Sequence, residues 1–198
     1  MKLRFHLLAG LVLLGLAATP GLAQQNKNIR GTIEAFDGST LRVETYEGAK
    51  VSIATPADLR VATSKPFSLA DVKPGMKLGV TTIKRPSDGA TIALEIHPLA
   101  ATTREGTSPH DLKPGSTMNN GFVEATVSAS GGTELTLDYK TGVVKVLIVP
   151  ETAMAQSAPG ALADLKVGEA VFVAVTQDGE RMTATRAQVS KDGVKPPM

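Results

Sequence analysis

A thirteen-residue stretch, SLADVKPGMKLGV at residues 68–80, returns ninety-three residues later as ALADLKVGEAVFV at residues 161–173. Leu69, Ala70, Asp71, Lys73 and Gly75 come back as Leu162, Ala163, Asp164, Lys166 and Gly168. A match at fixed offset constrains the fold more than any single motif, because it predicts one structural unit used twice. Leu69 and Val72 stand three apart, as do Leu162 and Leu165, so one helical turn puts each pair on a common face. Pro74-Gly75 then fits the centre of a type II turn, where proline fixes φ and glycine accepts a positive one. After the turn the apolar period falls to two, at Leu78 and Val80 and again at Val171 and Val173, as in a strand with one buried face. The unit reads as a short helical plug, a glycine turn and a strand.

Around each plug the alternation predicts short strands. In the first half these centre on Ile33, Leu41–Val43 and Val51–Ile53 before the plug, and on Val80 and Leu94 after it. Residues 57–67 read as a loosely structured stretch. In the second half, Gly121, Val123 and Ala125 match Gly31, Ile33 and Ala35, and Leu135 and Leu137 match Leu41 and Val43. Three strands, a helical turn and two strands is the connectivity of a five-stranded OB-fold barrel. The expected fold is therefore all-β with short helical turns: a tandem repeat of two small OB-like β-barrels, at residues 24–96 and 120–190. A β-sandwich or an SH3-like barrel is the alternative closure. Residues 97–119 read as an ordered connector and residues 191–198 as a tail.

Residues 1–23 stand apart. Lys2 and Arg4 precede an apolar run over residues 7–18 and a small-residue site ending at Ala23, the pattern of a cleavable export signal, here an N-terminal signal helix. The run is shorter than the ~20 residues a membrane span needs, and no second one follows. The expected location is the periplasm, with no transmembrane segment in the mature chain. Of 21 Lys+Arg and 19 Asp+Glu, the signal holds two basic residues and no acidic one, leaving 19 of each. A neutral, mixed surface without a basic cluster argues against nucleic acid. With no cysteine there is no disulfide framework, so burial alone must stabilise the fold.

The runs GTIEAFDGSTLRVET and SLADVKPGMKLGV resemble a widespread exported bacterial repeat of unknown function, marked by a Leu-x-Asp-Leu-Lys-x-Gly-x-x-Val-x-Val signature. The strings DLKPGSTMNN (residues 111–120) and SKDGVKPPM (residues 190–198) are similar to small alphaproteobacterial exported proteins that carry the automatic name "metal ABC transporter permease". The resemblance implies export and, through that name, a metal. A permease needs several apolar spans, and the sequence after residue 23 has none.

Candidate chemistry is sparse. Glu95, His97, His110 and Asp111, with Glu105 nearby, are the one cluster of metal-ligand types; imidazole plus carboxylate suits a divalent ion such as zinc. Their spacing matches no tight metal motif, and the alternative is a strand-end histidine and a solvated loop histidine. Tyr46 and Tyr139, near the end of the second strand in each half, could face a ligand or pack across strands. Asp71 and Asp164 fit caps of their helical turns better than a carboxylate pair. No nucleophile with a neighbouring base is present. The expectation is a non-enzymatic binding or envelope-interaction module of unknown ligand, without a cofactor. A periplasmic metal-handling accessory is the alternative.

Overall fold

Period-two apolar runs cut by Gly and Asp turns leave little but sheet to form. The computed structural model, which describes residues 25–129 and 132–197, is almost entirely β. The first half gives β1 (Gln25–Phe36), β2 (Thr40–Thr45), β3 (Lys50–Ala54), β4 (Arg60–Pro66), a 3-10 turn η1 (Leu69–Asp71), β5 (Lys77–Lys84) and β6 (Thr91–Pro98). A short β7 (Gly106–Pro109) lies in the connector. The second half gives β8 (Thr117–Ala129), β9 (Gly132–Asp138), β10 (Val143–Ile148), β11 (Ala153–Pro159), η2 (Leu162–Asp164), β12 (Ala170–Asp178) and β13 (Arg181–Val189). The expected signal at residues 1–23 lies outside the described residues. Among those described, no helix is long and apolar enough to cross a membrane.

The halves do not close separately. β1 pairs β2, β2 pairs β3, and β3 runs parallel to β13, with Ile53 opposite Met182. β13 pairs β12, and β12 returns to β1 through eight residue pairs from Gln25↔Gln177 to Thr32↔Ala170. This closed five-stranded barrel takes three strands from the first half and two from the second. A second circuit does the converse: β8, β9 and β10 meet β6 at Leu147↔Ile92, and β6 returns through β5 to β8. The expectation that residues 24–96 and 120–190 each form a barrel is thus corrected, because β1–β3 and β5–β6 enter different circuits.

Each circuit has its own core. Ile33, Leu41, Val43, Ile53, Val171 and Val173 are at most 1% exposed in the first, and Leu78, Val80, Ile96, Leu135, Leu137 and Val146 are fully buried in the second. Side chains of this size each contribute roughly 1.5–3 kcal/mol when buried. The plugs sit on these cores by the sequence's spacing, but Val72 and Leu165 carry the burial, while Leu69 and Leu162 are only partly covered. Behind each plug the turn forms as expected: Met76 N–H donates to Lys73 O at 3.1 Å with Gly75 at φ +81°, and Glu169 N–H to Lys166 O at 3.2 Å with Gly168 at φ +87°. Each turn then docks on the opposite half. Gly75 N–H donates to Val123 O, and Gly168 N–H donates to Ile33 O.

β4 and β11 join the two circuits. β4 falls in the stretch read as loosely structured, yet it pairs antiparallel with β11 through five residues. Ser64 lies opposite Ser157, its counterpart ninety-three residues on, and the flanking pairs Ala62↔Pro159 and Pro66↔Ala155 exchange under the same shift. β4 also runs parallel to β13, and β11 to β6. The connector is held by Lys77, whose buried ammonium donates to Ala101 O (2.9 Å) and Thr103 O (2.5 Å) and lies 3.4 Å from Glu105. A further turn, Lys113-Pro114-Gly115, closed by Ser116 N–H to Lys113 O, delivers it into β8. The tail folds on itself through a Lys191↔Val194 bridge, and the buried Pro196 lines a cavity with Ala153 and Met154 of β11.

Candidate functional site

Where β6, β11, β12 and β13 come together, the chemistry-bearing side chains of both halves line one groove. One part, about 230 Å³, is bounded by Glu95, His97, His110, Met118 and the tail's Pro197; the adjoining part, also about 230 Å³, by Arg60, Val61 and Ala187. Ser157, Phe172, Arg186 and Gln188 line both. Gln188 is fixed by the two serines of the β4–β11 pair: Ser157 Oγ donates to its Oε1 at 2.8 Å, and its Nε2 donates to Ser64 Oγ at 3.3 Å.

Alternation on β6 aims Glu95 and His97 to the same side. Glu95 is 2% exposed and accepts a hydrogen bond from Thr81 Oγ1 at 2.8 Å. His97 lies across Gly79 on β5. A Cβ at residue 79 would sit 2.6 Å from His97 Nε2, so only glycine leaves the ring its place. His97 Nδ1 is buried without a hydrogen-bond partner. Burial, then the nearby His110 and Arg186 charges, bring its pKa down to about 4, so the ring is neutral at pH 7. His110, on the connector, is lowered too: burial and Arg30 outweigh the Asp111 charge that acts to raise it.

Asp111 is spoken for elsewhere. It accepts from Asn28 Nδ2 at 2.8 Å and from Arg30 Nη2 at 2.5 Å, and its nearest approach to His110 Nε2 is 3.9 Å. Burial acts to raise its carboxyl, but the hydrogen bonds from Arg30 and Asn28 and the Arg30 charge win, and the net shift is downward. Arg30 also lies over the Phe172 ring, 5.3 Å from its centroid, and Arg186 over the same ring at 5.0 Å.

The four metal candidates are therefore near neighbours, but no group of three or more ligating side chains among the described residues is placed to hold an ion. Tyr46 and Tyr139 are not brought together. Tyr46 is 53% exposed at the β2–β3 turn of one barrel, whereas Tyr139 leans toward Gly121 on the other and lines a separate pocket with Thr82 and Asn119. Asp71 and Asp164 reach back to the chain ahead of their turns, accepting the backbone N–H of Ser68 and of Ala161, both at 2.9 Å. They are caps. Arg30, Arg60, Phe172, Arg186 and Gln188 had no motif to mark them. Arg60, Phe172, Arg186 and Gln188 share the groove, with Arg30 stacked on Phe172 beside it, only because β1, β12 and β13 pair across the halves.

Comparison with protein-family models, with curated proteins and with solved structures returns no match.

Proposed function

We propose that this chain is a non-enzymatic binding or envelope-interaction module of the bacterial periplasm, exported by residues 1–23 and built from two copies of one OB-like unit that exchange their last two strands. The barrel order, with the third strand parallel to the last, is that of OB-like closure. The register of β4 with β11, unchanged under a ninety-three-residue shift, supports the doubled unit. The ligand site is the groove between the barrels. The observation that carries this reading is convergence: β6, β11, β12, β13 and the connector all place polar or aromatic side chains on one concave surface. Native mass spectrometry of protein released from the periplasm tests it. Wild-type protein should retain a bound species that is lost from Ser157→Trp, a variant that fills the groove while keeping its fold by circular dichroism.

One observation favours the metal-handling alternative. His97 and His110 are both held toward the neutral form in one pocket, and His97 Nδ1 has no protein partner; neutral imidazole is a good ligand for zinc or copper. Elemental analysis of untagged protein decides this. Stoichiometric metal lost in His97→Ala would establish the alternative, and metal-free protein with no zinc-induced melting shift would end it.

A further inference from the structure

We infer that Arg60 and Arg186 form a clamp for an oxyanion, so that the ligand of the groove is a small molecule bearing a carboxylate or a phosphate. The inference rests on the groove being the ligand site. Arg60 and Arg186 are direct partners in the parallel β4–β13 ladder, and both are exposed on the same pocket. Adjacent strands lie ~4.8 Å apart, and like charges placed side by side across them repel. Among the described strand ladders, no other register sets two like charges directly opposite one another; Lys50, for example, faces Glu44 and Arg181 faces Asp178. Among the described residues, neither Arg60 nor Arg186 lies within ion-pair distance of a carboxylate.

The scaffold does not require this pair. At the counterpart position of the other barrel, β11 and β6 align Ala153 with Glu95 in the same parallel register. The two arginines are thus a property of one side of the groove. Arg186 is held over the Phe172 ring, which orients its guanidinium plane before any ligand arrives. Gln188, fixed by Ser157 and Ser64, and the neutral His97 ring stand beside it on the same surface. Two forked guanidiniums with spare donors match the oxygens of a carboxylate or phosphate, each able to bind in bidentate fashion.

The test follows the arginine side-chain Nε–H signals of untagged full-length protein while sodium phosphate or sodium succinate is added at constant ionic strength. Saturable shifts at Arg60 and Arg186 are expected, with affinity falling roughly tenfold or more in Arg60→Gln or Arg186→Gln, as for loss of a charge-assisted hydrogen bond. Arg42→Gln, on the exposed side of β2, should leave affinity unchanged. Saturation by phosphate alone assigns a phosphoryl ligand, and by succinate alone a carboxylate. Equal binding by wild type and Arg186→Gln overturns the clamp. A native species that is displaced by Ser157→Trp but persists in the double arginine variant keeps the groove and overturns the clamp alone. No groove-dependent species and no saturable shift overturns both.

Discussion

At the plugs, matched positions of the two halves keep their chemistry; in the groove they do not. Asp71 and Asp164 both cap a 3-10 turn, and Gly75 and Gly168 both take positive φ and bond to a strand from the opposite half. The hairpins match as well, with β5–β6 and β12–β13 bulging at the same step, between Thr81 and Thr82 and between Ala174 and Val175. Yet on those matched hairpins Gly79 stands where Phe172 stands, Glu95 where Arg186 stands and His97 where Gln188 stands. Backbone demands fix the plugs. Nothing about closing a barrel fixes the groove, so its two sides could diverge into an acid-and-imidazole wall and a cationic, aromatic wall. Under the proposed function, that divergence falls where the ligand would bind.

The largest expected effects probe what the halves share. Gly31 and its counterpart Gly121 sit where a neighbouring strand passes close: an added Cβ would lie 2.1 Å from Glu44 O at residue 31 and 2.8 Å from Asp138 O at residue 121. Backbone cannot yield as a side chain can. Gly31→Ala should cost about 4 kcal/mol or more, and Gly121→Ala less, by urea denaturation. Equal costs would contradict the closer strand approach at residue 31. Leu41→Ala and Leu135→Ala, both fully buried, should each cost about 2–5 kcal/mol. Because each barrel uses strands from both halves, each variant should move one common transition; two separable transitions would argue for independent units.

Smaller effects probe what the halves do not share. Gly79→Ala should leave the fold intact but displace the His97 ring, whose Nε2 is 2.6 Å from the new methyl, and this is read from the His97 ring resonances. His97 itself gives a pH signature. Its folded pKa, about 4, lies below its ordinary value, so the folded state binds fewer protons than the unfolded. Its contribution to stability is full above about pH 6.5 and is lost as pH falls through 4. His97→Asn should flatten that part of the stability curve while leaving the region above pH 7 unchanged. Smallest of all, Asp71→Ala and Asp164→Ala should each lower the melting temperature slightly. Asp71 should have the larger effect because it also accepts the Ser68 hydroxyl, where Ala161 offers none.

Much of the fold was legible in the sequence, and the reason for the remainder is specific. Period-two alternation locates β1, β2, β5, β8, β9 and β12 because it reports which face of a strand is buried. It does not report which strand is the neighbour. Gly31-Thr32-Ile33-Glu34-Ala35 and Gly121-Phe122-Val123-Glu124-Ala125 present β5 with nearly the same edge, so a sequence containing both is compatible with closure within a half or across halves. β4 escaped notice because Arg60-Val61-Ala62-Thr63-Ser64 does not alternate cleanly, and its partner is some ninety residues away. The site was legible by residue type only on one wall. Glu95, His97, His110 and Asp111 stand close in sequence, but Arg60, Phe172 and Arg186 are ordinary strand residues until strand exchange sets them opposite.

That exchange is the central claim, and the cysteine-free chain permits a direct measurement of it by disulfide trapping. Asn26 faces Thr176 across β1 and β12, whereas closure within the first half would instead set Asn26 against Ile83, the residue ninety-three positions earlier. In monomeric protein under mild oxidation, Asn26→Cys/Thr176→Cys should crosslink intramolecularly and Asn26→Cys/Ile83→Cys should not. Crosslinking of the second pair in place of the first would contradict the exchange.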